Sequence, residues 1–180
     1  MKNPWKKINQ RYVYQHSTIL KVRKDLVVKP DGEKGKYSVI ERPDTVAIVA
    51  KDKDDYVYMI KQWRYPVGRE FLEVPLGLVE QKENPKTAAK RELKEETGVL
   101  AKEIIKIGET FGSPGLMTNK THIFATFNFE VGEQNLDPTE KIKVEKIKYA
   151  KIKEMIKNGE INNSPTLVSL YFLDIFDNNK

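Results

Sequence analysis

Glu92, Glu95 and Glu96 stand at spacings i, i+3 and i+4. On a helix of 3.6 residues per turn, these positions share one face. Like charges there repel, at about a few tenths of a kcal/mol per exposed pair. They also crowd toward the helix C-terminus, where the macrodipole disfavours anions. A bound cation would remove both penalties. Ligands made only of oxygen suit Mg2+, with Mn2+ as a substitute, better than zinc. Arg91 is the local counter-charge, since Arg91 and Glu95 form an i, i+4 pair. On these residues alone, a solvated and ion-paired helix face is also an open reading.

The composition narrows the chemistry further. The 180 residues include no cysteine, which excludes disulfides, thiolate nucleophiles, Cys-ligated zinc and iron–sulfur clusters. Two histidines, His16 and His122, are too few for a multi-histidine zinc site. Asp and Glu number 26, so a hard cation held by carboxylates is the metal chemistry that remains. An apolar share of 39% suffices for a core and argues against wholesale disorder. The net charge of +6 admits an anionic partner, but the lysines are spread along the chain, and a solvated surface explains them as well. No apolar run approaches the roughly 20 residues needed to span a bilayer, and no apolar stretch follows residues 1–7 as in a signal peptide. A cytoplasmic location is expected.

The three glutamates need a helix, and the flanking residues specify one. Asn84 is a good N-cap, Pro85 fits the first helical position and Gly98 fits the position just past the end. This predicts a helix over 85–97, with Ala89 and Leu93 as an apolar stripe for packing on a core. Residues 20–28 alternate as a strand, Pro30-Asp31-Gly32 turns, and 36–41 return. Residues 1–42 therefore read as a small β region, and 43–180 as the main domain. Residues 46–50 are apolar on both faces, as in a strand covered on both sides. Further strands are expected at 56–60, 71–74, near 101–109, at 121–131 and at 141–149. Pro75 ends the 71–74 strand, and Leu76-Gly77 opens a loop in which Gly77 permits a tight turn. Helical spacing returns at Ile152 to Ile156 and from Ser164 to about 176. Strands and helices mix without strict alternation, which argues for an α/β fold with a mixed sheet flanked by helices.

From Gly77 to Val99 the chain reads GLVEQKENPKTAAKRELKEETGV. This resembles the Nudix box: Gly, five residues, Glu, seven residues, Arg-Glu, an aliphatic residue, any residue, Glu-Glu, any residue, Gly, and an aliphatic residue. Gly77, Glu83, Arg91, Glu92, Leu93, Glu95, Glu96, Gly98 and Val99 fill every fixed position. The resemblance implies a Nudix-type α/β/α sandwich with a mixed sheet, plus the small N-terminal β region. It implies Glu92 and Glu96 as the main Mg2+ ligands and Glu95 as a further ligand or catalytic carboxylate. Arg91 would orient these glutamates and Glu83 would support the loop. The carbonyl of Leu76 is a further ligand in some relatives.

The resemblance extends over roughly 17–176 and is to the ADP-ribose and nucleoside-diphosphate-sugar pyrophosphatase branch. Gln62-Trp63-Arg64-Tyr65-Pro66, Glu73-Val74-Pro75-Leu76-Gly77 and Ser113-Pro114-Gly115 are similar to segments of that branch. Pro114 falls 16 residues after Gly98, where the branch typically carries a proline. Leu76 in place of a small residue, and Asn119 in place of a glutamate, leave the base and sugar open. The implied reaction is Mg2+-dependent hydrolysis of the diphosphate of ADP-ribose or a related sugar nucleotide. Arg64 is implied to pair with the diphosphate and Tyr37 to stack on the base. The general base would come from the stretch 132–140, with Glu140 the best match and Glu133 the second. The N-terminal region would build a homodimer and help wall the pocket. Dinucleoside polyphosphates, NADH or capped RNA are alternative substrates, and a non-catalytic nucleotide-binding module is an alternative role. No nucleic-acid motif is present, and neither nucleic acid nor a membrane is an expected partner.

Overall fold

Residues 1–17 and 19–178 are described in this computed structural model, and they divide into two units. The first comprises Met1–Pro43 with Phe111–Lys120; the second comprises Asp44–Thr110 with Thr121–Lys180.

The first unit is an antiparallel sheet in the order β1 (Lys6–His16), β2 (Leu20–Val28) and β3 (Lys34–Glu41). Gly32 makes the β2–β3 turn with φ +87°, donating its N–H to the Lys29 carbonyl at 2.9 Å. β1 was not expected. Its pairing with β2 shifts register between Lys7 and Asn9 and again between Tyr12 and Tyr14. Each bulge moves later side chains to the other face, which erases the period of two that marks a strand. The segment 111–120 joins this unit through Ile40, whose N–H donates to the Leu116 carbonyl (2.9 Å) and whose carbonyl accepts from Thr118 (3.1 Å).

In the second unit, β4 (Thr45–Ala50) is the central strand. It pairs in parallel with β10 (Thr121–Thr126) and antiparallel with β7 (Leu76–Leu78), in a sheet completed by β9 (Ile105–Thr110). Its residues from Val46 to Ala50 are all at 0% exposure, so both faces are covered. Val46, Ile48 and Ala50 pack with Ala88, Ala89 and Leu93 of α1 (Pro85–Thr97). Ala47 and Val49 pack instead with Ile152 of α2 (Tyr149–Lys157) and with Leu170 and Leu173 of α3 (Ser164–Asp177). Helices on both faces of a mixed sheet give the α/β/α sandwich. A second sheet runs β12 (Ile142–Lys148), β5 (Tyr56–Arg64), β6 (Arg69–Glu73), and a small ladder pairs β8 (Val99–Ala101) with β11 (Phe129–Val131).

Two expectations at element ends differ. Residues 121–131 are two strands in different sheets. Phe127 packs with the α2/α3 core and Phe129 with the α1 core, and the Thr126 hydroxyl donates to the Glu103 carbonyl at the break (2.7 Å). The apolar alternation runs straight through this bend, because each half has its own core to face. Leu76 and Gly77 do not open a loop; they form β7, opposite Ala47 and Val46 of β4.

Candidate active site

α1 begins and ends as its capping residues dictate. The Asn84 side chain accepts from the Thr87 N–H at 2.9 Å, and Gly98, at φ 74°, donates to the Lys94 carbonyl at 2.8 Å. Ala88, Ala89 and Leu93 are buried against β4, and the neighbouring face of the helix carries Arg91, Glu92 and Glu95. These three line a cavity of about 380 Å3 whose other wall includes Asn135, Asp137 and Glu140.

Arg91 is the hub of this wall. Its Nε and Nη2 donate to the two oxygens of Glu83 at 3.1 and 3.0 Å, a bidentate grip. Nη2 also donates to the Leu78 carbonyl at 3.0 Å, and Nη1 to Glu92 (2.8 Å) and Glu95 (3.1 Å). One guanidinium thus ties the loop before α1, strand β7 and two helix carboxylates together. The Arg91 hydrogen bond holds the Glu83 carboxyl below its ordinary range, against a smaller effect of burial. The guanidinium is in turn held more firmly protonated, chiefly by Glu83.

Glu92 and Glu96 lie on the other side of that balance. Burial pushes the Glu92 carboxyl up, Glu95 and Glu140 push the same way, and Arg91 opposes them. Glu96 is 2% exposed, and burial pushes it up to about 8, with Glu92 and Glu140 adding to the rise. The Leu76 N–H, donating to Glu96 Oε2 at 3.0 Å, and the charge of Arg64 offset only part of this. The site is therefore short of positive charge, which is the condition a hard divalent cation relieves. Among the described residues, no three acidic or histidine side chains converge as a ready-made cage. The donor chemistry, carboxylates with neither imidazole nor thiolate, fits Mg2+.

Gly77 has a different role from the turn expected of it. It is not among the glycines at positive φ. A Cβ there would lie 1.8 Å from the Glu92 carboxyl carbon, so its hydrogen makes room for that carboxylate against β7. Gly98 serves twice, since a Cβ would also lie 2.4 Å from the Gly132 carbonyl oxygen.

The structure brings Glu83, Arg91, Glu92, Glu95, Glu96, Leu76, Gly77 and Glu140 together; Glu140, and not Glu133, lines the cavity. Arg64 is engaged with Glu73, which accepts its Nε at 2.8 Å and Nη2 at 2.6 Å. Glu73 is buried, so the pair fixes the guanidinium whose charge reaches Glu96. Glu73 had no role assigned from sequence beyond its place in the Glu73–Gly77 segment, since its burial is set by the fold. Tyr37 and Pro114 belong to the first unit. There the Tyr37 hydroxyl donates to the Gly115 carbonyl at 2.7 Å, next to Pro114, and the Trp5 ring meets the Tyr37 ring edge-on at 5.5 Å. Asn135 and Asp137 were missed as well, since nothing in a polar loop marks which residues turn toward a helix.

A mixed sheet between helices carries buried carboxylates beside a bidentate arginine, a donor set that fits a hard divalent cation. Residues 41–170 match the NUDIX domain, and residues 5–40 match the nucleoside diphosphate sugar hydrolase N-terminal domain. The chain belongs to the Nudix hydrolase family. It is 30% identical over 148 residues to the ADP-ribose pyrophosphatase of Bacillus subtilis (strain 168), covering 81% of this chain and 80% of that one. It is also 30% identical over 170 residues to the GDP-mannose pyrophosphatase of Escherichia coli O1:K1 / APEC, covering 88% of each. A crystal structure of an ADP compounds hydrolase superposes with a TM-score of 0.82 at 19% identity, over 96% of this chain and 93% of that one, and shares its fold. Among the described residues, no helix is long and apolar enough to cross a membrane.

Proposed function

We propose that the protein hydrolyses the diphosphate linkage of ADP-ribose or a related nucleoside diphosphate sugar, giving a nucleoside monophosphate and a sugar phosphate. The observation that carries this is the carboxylate-lined cavity on α1, with Arg91 gripping Glu83, Glu92 and Glu95 at one wall and Glu140 at the other. The names of the relatives of both parts of the chain support the substrate class.

Glu92 and Glu96 would hold Mg2+, with Glu95 and the Leu76 carbonyl as further ligands. The ion supplies neutralisation of the diphosphate and a lowered pKa of water. Glu140 accepts the proton of the attacking water as its oxygen bonds to one phosphorus. The bridging P–O bond breaks, and the second phosphate leaves with the electron pair. Arg91 keeps the glutamates oriented, which spares that reorganisation at the moment of reaction. Arg64 pairs with a diphosphate oxygen from its position on Glu73. On the first unit, Tyr37 offers a ring face for a base, and Pro114 adjoins the Gly115 carbonyl that accepts the Tyr37 hydroxyl.

The exposed apolar residues of β1, Ile8, Tyr12, Val13 and Tyr14, support a homodimer built through the N-terminal sheet. A nucleotide substrate fits a cytoplasmic enzyme. Chromatography of products from ADP-ribose, GDP-mannose, a UDP-sugar, NADH and a nucleoside triphosphate, with Mg2+, tests the reading. The expected result is a higher kcat/KM for a diphosphate sugar than for the triphosphate. A triphosphate preferred by more than about tenfold, roughly 1.4 kcal/mol of differential stabilisation, would overturn the substrate class. No product from any of them would overturn the hydrolase reading.

A further inference from the structure

The chain beyond β11 runs back along the last turn of α1. Gly132 donates its N–H to the Gly98 carbonyl at 2.8 Å, and Asn135 donates its N–H to the Glu95 carbonyl at 3.0 Å. Between them, the side-chain amide of Gln134 donates through Nε2 to the Glu96 carbonyl at 2.5 Å. Carbonyls in the last turn of a helix lack the partners that earlier carbonyls find within it, so they draw donors from outside. Two of these three donors are backbone amides, which nearly any residue supplies. Only the middle contact depends on which side chain is present.

Two residues beyond Asn135, the chain makes a turn of its own. Glu140 donates its N–H to the Asp137 carbonyl at 2.9 Å, and Thr139 gives its N–H (2.9 Å) and hydroxyl (2.6 Å) to the Asp137 carboxylate. The turn carries Glu140 to the cavity wall opposite Glu92 and Glu95. Glu96 is the residue both sides share. Its carbonyl is held by Gln134, while its carboxylate is held by Leu76 and feels the charge of Glu140.

We propose that Gln134 is a positioning residue for the hydrolysis: its amide latches the 132–140 segment to the Glu96 carbonyl and so sets Glu140 opposite the carboxylates of α1. This rests on the reading of α1 and Glu140 as the hydrolytic machinery. Gln134 touches no reacting atom. Its effect arrives through the place of Glu140, and small misplacements of a catalytic group are costly.

The test compares Gln134→Leu, which keeps bulk and removes the donor, with Gln134→Lys, which keeps a donor of similar reach. Gln134→Leu is expected to lower kcat by about tenfold or more, with KM changed less than about twofold. Gln134→Lys is expected to recover most of the loss. Amide exchange supplies a readout independent of turnover: the Asn135 N–H should exchange faster in the leucine variant and near the wild-type rate in the lysine variant. In a double variant with Glu140→Gln, removing the donor should add little further loss, because both changes act through one group. Unchanged kcat or unchanged Asn135 exchange in Gln134→Leu overturns the latch, and so do losses that multiply in the double variant. Glu96→Gln assayed alongside separates the failures. An inactive Glu96→Gln beside a normal Gln134→Leu refutes the latch alone, whereas a fully active Glu96→Gln refutes the functional reading beneath it.

Discussion

α1 and the β1–β2–β3 sheet manage their polar and apolar groups in opposite ways. On α1, carboxylates that repel one another are packed into partial burial and pinned by one arginine, with glycine wherever a side chain would intrude. In β1, all eleven residues are exposed, and Trp5 just before the strand, with Ile8, Tyr12, Val13 and Tyr14 within it, leaves apolar surface in solvent. The helix carries unfavourable electrostatics that packing within its own unit over-determines. The strand carries unfavourable solvation that its own unit relieves only in part, with the Trp5 ring edge-on to Tyr37 and the Tyr12 hydroxyl donating to Glu41 at 2.9 Å. Strain of the first kind points to a ligand held inside one chain, and strain of the second kind points to a neighbour.

The largest expected effect lies on the helix. Glu96→Gln keeps the shape and removes the charge, and turnover should fall on the order of 10²-fold or more with the far-ultraviolet spectrum unchanged. Near-wild-type kcat at saturating Mg2+ would place the buried carboxylates outside the chemistry and dissolve the contrast.

The charge shortage should also be visible without substrate. Mg2+ that binds the folded chain alone stabilises it by about 2.7 kcal/mol at a hundred times its dissociation constant. Thermal melts with Mg2+ and with a chelator should therefore separate, and the gap should shrink in Glu92→Gln. Coincident melts would mean that the face is only an ion-paired surface.

Gly77→Ala is the next test. A methyl group would fall 1.8 Å from the Glu92 carboxyl carbon, so the carboxylate or β7 must move. Overpacking of this kind costs about 1–3 kcal/mol, and kcat should fall with stability. Because Gly77 is not at positive φ, backbone strain is not a competing cause. A stable, active Gly77→Ala would show that Glu92 has freedom to relocate.

How much of this was legible follows from the range of the forces. Asn84, Pro85 and Gly98 act within a turn of themselves, and they predict the bounds of α1. The run from Val46 to Ala50 predicts a doubly covered strand because burial on both faces leaves no polar alternation. The spacing from Gly77 to Val99 reports the glutamates and Arg91 together. What stayed hidden is set by partners far along the chain. The use of Gly77 depends on where Glu92 points, the pairing of Arg64 on Glu73 crosses two strands, and the docking of Gln134 depends on which loop passes the end of α1. β1 was illegible for a local reason, since its two register shifts break the alternation a strand is read by.

The smallest energetic effect, and the one that sharpens the contrast most, is expected in β1. Val13 and Tyr14 are 51% and 53% exposed, so neither is a core residue of its own unit. Val13→Lys with Tyr14→Lys should change the stability of the single chain by only about 0.5 kcal/mol, as exposed substitutions usually do. Lysine on an edge strand also opposes pairing with a second strand, through charge and through the hydration of its head group. If β1 joins two copies, the same pair of changes should turn a dimer into a monomer by light scattering at micromolar concentration. A cooperative loss of structure in the variant would mean that these side chains already have a partner within the unit. A wild-type monomer would remove the homodimer, and the apolar surface of β1 would then need an occupant of another kind. A dimer that survives both lysines would move the interface off this strand.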